Sequence, residues 1–77
     1  MVGAIQQDSA LATGQNAAAF NTSTASGKYS HAEGKTTSAQ GESSHAEGAN
    51  TIAIGGAAHA EGGGSTTAGA LYSHAEG

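Results

Sequence analysis

The phrase His-Ala-Glu-Gly occurs four times in this chain, beginning at His31, His45, His59 and His74. An imidazole next but one to a carboxylate can move a proton, hold a metal ion or relieve repulsion between charges, and each use makes a different demand on geometry. Ser30, His31 and Glu33 have the residue types of a hydrolase triad. Adjacent residues of a strand point to opposite faces, however, so Ser30 and His31 are poorly placed to share a proton. Fourfold repetition also argues against an active site, which needs one asymmetric pocket. No catalytic residue is expected.

As a metal site, His31, His45, His59 and His74 would stack at one per repeat, and in a trimer three copies of each could converge on the axis. Imidazole suits zinc, nickel or iron, with Glu33, Glu47, Glu61 and Glu76 as ligands or as partners of the ligands. The plainer reading is a ladder facing solvent, in which each His beside a Glu relieves repulsion between stacked carboxylates. That reading is taken, with no cofactor expected and the four histidines kept as an alternative metal set. Carboxylates stacked about 4.8 Å apart repel one another, and each His gains from the nearby negative charge. Stability is therefore expected to vary between about pH 4 and 7.

The elements that position these residues follow from the repeat. The four copies are spaced 14, 14 and 15 residues apart. Upstream of each lies a small-residue stretch, centred on Ala25, Ala39, Ala53 and Ala68, and Gly27, Gly41 and Gly55 follow the first three. The last unit has Ala70 at that place and carries one extra residue near Gly63-Gly64, expected to bulge at a corner. A degenerate earlier copy runs from about Asp8 to Asn21, where Ala10 to Gly14 matches Thr51 to Gly55 and Ala18 stands in place of His. The units are 8–21, 22–34, 35–48, 49–62 and 63–77. Residues 1–7 are left as an N-terminal segment and candidate docking arm.

A 14-residue unit rich in Gly, Ser and Thr is too short for a helical hairpin and makes a poor helix. Two strands of three to five residues with two tight corners fit it. In His-Ala-Glu the His and Glu share one face while Ala points the other way, so Ala is expected to stack inside a narrow parallel β-solenoid. Glycines are expected at corners where the backbone needs φ > 0. Phe20 falls where the first unit lacks Glu, and is expected to cap the roll or cover the N-terminal segment. Tyr29 and Tyr72 precede Ser-His at equivalent positions and are expected to pack at a corner.

Composition says that such a roll needs partners. Of the residues counted as hydrophobic, 36% of 77, 18 are Ala and only ten are larger. Ten such side chains bury too little apolar surface to offset the ordering entropy of a lone domain, and without Cys no disulfide helps. Side-by-side trimerisation would bury a second face, with Leu11, Ile52, Ile54 and Leu71 as the interchain seam. Two basic residues against six acidic ones exclude nucleic acid as a partner, and no apolar run is long enough to insert into a membrane.

The 14-residue period, the Ile52-Ala53-Ile54-Gly55 phrase and the recurrent Ser-His-Ala-Glu-Gly from Ser30, Ser44 and Ser73 resemble the head repeats of trimeric autotransporter adhesins, which also occur in bacteriophage tail-fibre proteins. The resemblance covers about residues 8–77. It implies an all-β fold, a short left-handed parallel β-roll of about five turns, trimeric, and a role in attachment or fibre building. The chain shows no coiled-coil stalk, neck segment, membrane anchor or signal peptide, which favours the phage version. The expected function is a structural or receptor-binding segment of a phage tail fibre, located in the virion and acting in host attachment. The alternatives are the head of a bacterial surface adhesin and a metal-binding spike segment with an axial His ladder. Expected partners are two further copies of the chain, adjoining fibre proteins or stacked copies, and a cell-surface glycan or protein receptor.

Overall fold

The computed structural model describes residues 5–6 and 10–77. All of its regular elements are strands: β1 (Ile5–Gln6), β2 (Leu11–Ala12), β3 (Ala18–Ala25), β4 (His31–Ala39), β5 (His45–Ala49), β6 (Thr51–Ala53), β7 (His59–Glu61), β8 (Thr66–Ala68) and β9 (His74–Glu76). Every pairing is parallel and joins one repeat to the next, which is a β-solenoid of about five turns. One ladder of strands runs β1-β3-β4-β5-β7-β9, and the second joins β2, β3, β4, β6 and β8. No helix among the described residues is long and apolar enough to cross a membrane.

Two columns of alanine form the interior, as the strand parity predicts. Ala19, Ala32, Ala46 and Ala60 stack on the His-Ala-Glu side, and Ala12, Ala25, Ala39, Ala53 and Ala68 stack opposite, all essentially inaccessible. The Cα trace is only 9 Å deep in its thinnest direction, which leaves no room between the ladders for a larger side chain. Small hydroxyl residues complete the interior at the corners. Ser30 Oγ donates to Gly27 O at 2.6 Å, and Thr37 and Thr51 Oγ1 donate to the carbonyls of Glu33 and Glu47 at 3.2 and 3.1 Å.

The strands differ from expectation in three ways. β3 and β4 run for 8 and 9 residues, because the backbone keeps its inter-turn pairing through the second corner instead of breaking there. The pairing slips once, between Thr22 and Ser23, where Thr36 is left over; that slip lets Ala18 pair with His31 before it and Thr24 with Ser38, one residue further on, after it. Within the segment left outside the repeats, Ile5–Gln6 pairs with Ala18–Ala19 and so adds a strand to the roll. The extra residue of the last unit lies where expected: Thr51 aligns with Thr66 while the Ala49 N–H still bonds to Gly62 O, so it enters between Gly62 and Thr66.

The corners correct the expectation for Gly27, Gly41 and Gly55. None of these has a positive φ. A Cβ on Gly41 would come within 2.1 Å of Gly55 O on the next turn, so glycine is required there by close approach of stacked backbones. Ala70 holds the equivalent place in the last described turn, its carbonyl stacked on Gly55. The left-handed positions of this corner are held by Asn16, Tyr29, Ser43, Ala57 and Tyr72, with φ between 57° and 61°. In the turns at Tyr29, Ser43, Ala57 and Tyr72 the N–H two residues before the His bonds to a carbonyl of the preceding turn, as Tyr29 N–H does to Gln15 O at 2.8 Å.

Candidate functional site: the imidazole and carboxylate ladders

Strand parity turns the His and Glu of each repeat outward from the same ladder, and parallel in-register pairing stacks like on like. His31 aligns with His45, His45 with His59, and His59 with His74. The rings follow the backbone spacing, with centroids 4.7, 4.7 and 4.9 Å apart and the last two pairs nearly parallel, at 2° and 8°. Phe20 aligns with Glu33 and sits at the N-terminal end of the column, its ring 5.5 Å from that of His31. The substitution of Phe for Glu thus ends the charged column with an apolar ring.

The carboxylates interleave with the imidazoles. Glu33 lies 3.3 Å from His31, Glu47 touches His45 at 3.6 Å and His59 at 3.4 Å, and Glu61 touches His59 at 3.8 Å and His74 at 3.3 Å. Glu76 completes the chain at 3.6 Å from His74. From Glu47 onwards each carboxylate therefore serves the ring of its own turn and, where there is one, that of the next. His59 and His74 therefore each have two carboxylate partners, whereas His31 and His45 have one.

The sequence expectation that every His gains from its acidic neighbours fails at His45. Its pKa is lowered from 6.5, first by burial and then by the like charges of His31 and His59, which together outweigh Glu47 and Glu33. The spacing of the repeat placed each His beside a Glu but did not show that the ring of His45 would be half-buried and stacked between two other imidazoles, with centroids 4.7 Å away on each side. His45 Nε2 is shut off from solvent and has no hydrogen-bond partner.

Ser30 takes no part in this array. It is buried inside the corner, bonded to Gly27 O, on the opposite face from His31. Beside the Glu column runs a groove floored by Gly34, Gly48, Gly62 and Gly77 and ended by Phe20 and Asn21. The first three glycines have φ of 112°, 106° and 114°, so here the left-handed requirement is real, and a side chain would also strike the next turn.

The seam candidates fall on the other outward face and its flanking corner. Leu11 and Ile52 belong to one ladder, Leu11-Thr24-Ser38-Ile52-Thr67. Ile54 emerges on the same side as Ile52, across the buried Ala53, and Leu71 stands beyond the corner. Leu11 and Ile54 are about half exposed and Leu71 more so. Tyr29 and Tyr72 do not pack under their corner: they are 49% and 81% exposed, since the left-handed backbone there directs the ring away from the roll. Lys28 Nζ lies 5.2 Å from the Tyr29 ring centroid.

Two overlapping copies of the YadA head domain repeat match this chain, over residues 32–58 and 46–70, together half of its length. The two copies are offset by one 14-residue turn. No curated protein and no solved structure matches the chain.

Proposed function

The chain belongs to the family of YadA head domain repeats, and from that premise we propose that it is a structural and receptor-binding segment of a trimeric extracellular fibre. The observation that carries this reading is the mismatch between core and surface. The interior is alanine, serine and threonine, while the larger aliphatic groups Leu11 and Ile54 stand about half exposed on the outside and Leu71 more so. A roll built this way gains little from its own core, and packing three copies along the Leu11-Ile52 ladder would bury the side chains that a single copy leaves in water. The exposed rings of Tyr29 and Tyr72 offer flat apolar faces of the kind that stack on sugars, which suits a surface receptor. No enzymatic role is proposed.

Within that class the fibre is read as a phage tail fibre acting in host attachment, a reading that rests on the likeness of the repeats to fibre segments. Head of a bacterial surface adhesin is the other version. Antibody labelling decides: decoration of virions supports the first, and decoration of the cell envelope in the absence of virions replaces it with the second.

The fibre reading itself is tested by light scattering together with circular dichroism. A β-rich species of three times 7.3 kDa is expected. A folded monomer would overturn it, and Ile52→Asp should convert the trimer to smaller species.

A further inference from the structure

The nitrogen of His45 that makes no hydrogen bond is the feature that the fibre reading leaves unused. We propose that His45, Glu47 and His59 form a three-ligand site for a divalent transition ion, with zinc as its probe. One atom from each lies within 4.8 Å of the others. Glu47 is placed between the two rings, Oε1 at 3.6 Å from His45 Nε2 and Oε2 at 3.4 Å from His59 Nε2. Bonds of about 2.0 to 2.2 Å from zinc to nitrogen and oxygen place tetrahedral ligand atoms roughly 3.4 Å apart, so the two stacked rings, 4.7 Å apart and nearly parallel, must tilt toward each other to meet on the ion.

Chemistry and burial both favour this set. Two imidazoles and one carboxylate are the donors that borderline divalent ions take, with water in the fourth position. His45 Nε2 is buried without a hydrogen bond, and an ion would supply the missing partner of that atom when the ring proton sits on Nδ1. The neighbouring sets are weaker. His31, Glu33 and His45 compete for the same His45 ring, and Glu33 touches only one imidazole, His31 at 3.3 Å, whereas Glu47 lies between two. Glu61, His74 and Glu76 lie at the exposed end and offer a single imidazole. The site does not depend on the fibre role, since all three ligands come from one chain.

The test is equilibrium dialysis of the metal-free 77-residue chain against zinc, with magnesium as the comparison ion. One zinc per chain is expected, with magnesium not retained. His45→Gln and His59→Gln should each weaken zinc binding at least tenfold, while His74→Gln leaves it unchanged. Circular dichroism checks that each variant keeps its strand signal. Should the variants fail to fold, cobalt in the wild-type chain provides the second readout: the intense visible bands of a tetrahedral nitrogen and oxygen site are expected. Absence of zinc retention, retention unaffected by both substitutions, or an octahedral cobalt spectrum would each overturn the assignment.

Discussion

The rings of His45 and His59 lie face to face, centroids 4.7 Å apart and 2° from parallel, with Glu47 bridging their edges. Such a stack is compatible with neutral imidazoles and opposes their simultaneous protonation, so it ties the fold to pH.

For the metal-free chain the sign follows from His45. Its folded pKa lies below the 6.5 of the free side chain, so between those two values the unfolded state binds more protons and stability rises with pH. The contribution is complete above 6.5 and is lost as pH falls through the lowered value. Thermal melts at pH 7.5 and 5.5 should show a lower midpoint in acid, and a smaller difference in His45→Gln. A wild-type midpoint that rises on acidification would contradict this account.

At the first corner, contact and conformation can be separated by substitution. Gly41→Ala puts a Cβ 2.1 Å from Gly55 O, although the φ of Gly41 suits any residue, and should cost about 3 kcal/mol or more because stacked backbones must part. The complementary change Ala70→Gly, at the equivalent position where the side chain is exposed, should alter stability by less than about 1 kcal/mol. Denaturant titration of both variants measures the contrast.

Ser30 and Ser44 occupy the same place in successive turns but are satisfied differently. Ser30 Oγ donates to Gly27 O, whereas Ser44 Oγ is buried with no partner. Ser30→Ala should cost about 1 kcal/mol, and Ser44→Ala should be neutral or stabilising, since it removes an unsatisfied group and Ala58 already fills that site one turn on. Equal losses in urea titrations would refute the distinction.

Ala57 sits at φ 57° with its side chain in solvent. Replacing it with Gly removes the left-handed penalty and sacrifices no packing, so Ala57→Gly should stabilise the roll by about 0.5 to 1 kcal/mol despite the greater freedom of glycine when unfolded. A rise in melting temperature of a few degrees is the expected reading.

Period and parity were legible in the residues themselves. Four spaced copies of His-Ala-Glu-Gly, with Ala between two polar residues, sufficed to predict stacked strands, an alanine interior and an outward column of His and Glu. The match of Ala10 to Gly14 with Thr51 to Gly55 predicted that Leu11 would share a ladder with Ile52, because register in a solenoid is copied from turn to turn. The tertiary structure alone decided what the stacked turns do to each other. The steric need for Gly41, the ring contacts of His45, the bridging position of Glu47 and the place of Phe20 against His31 all depend on distances between turns. Those distances are set by how tightly the whole coil winds, a property that no single repeat contains.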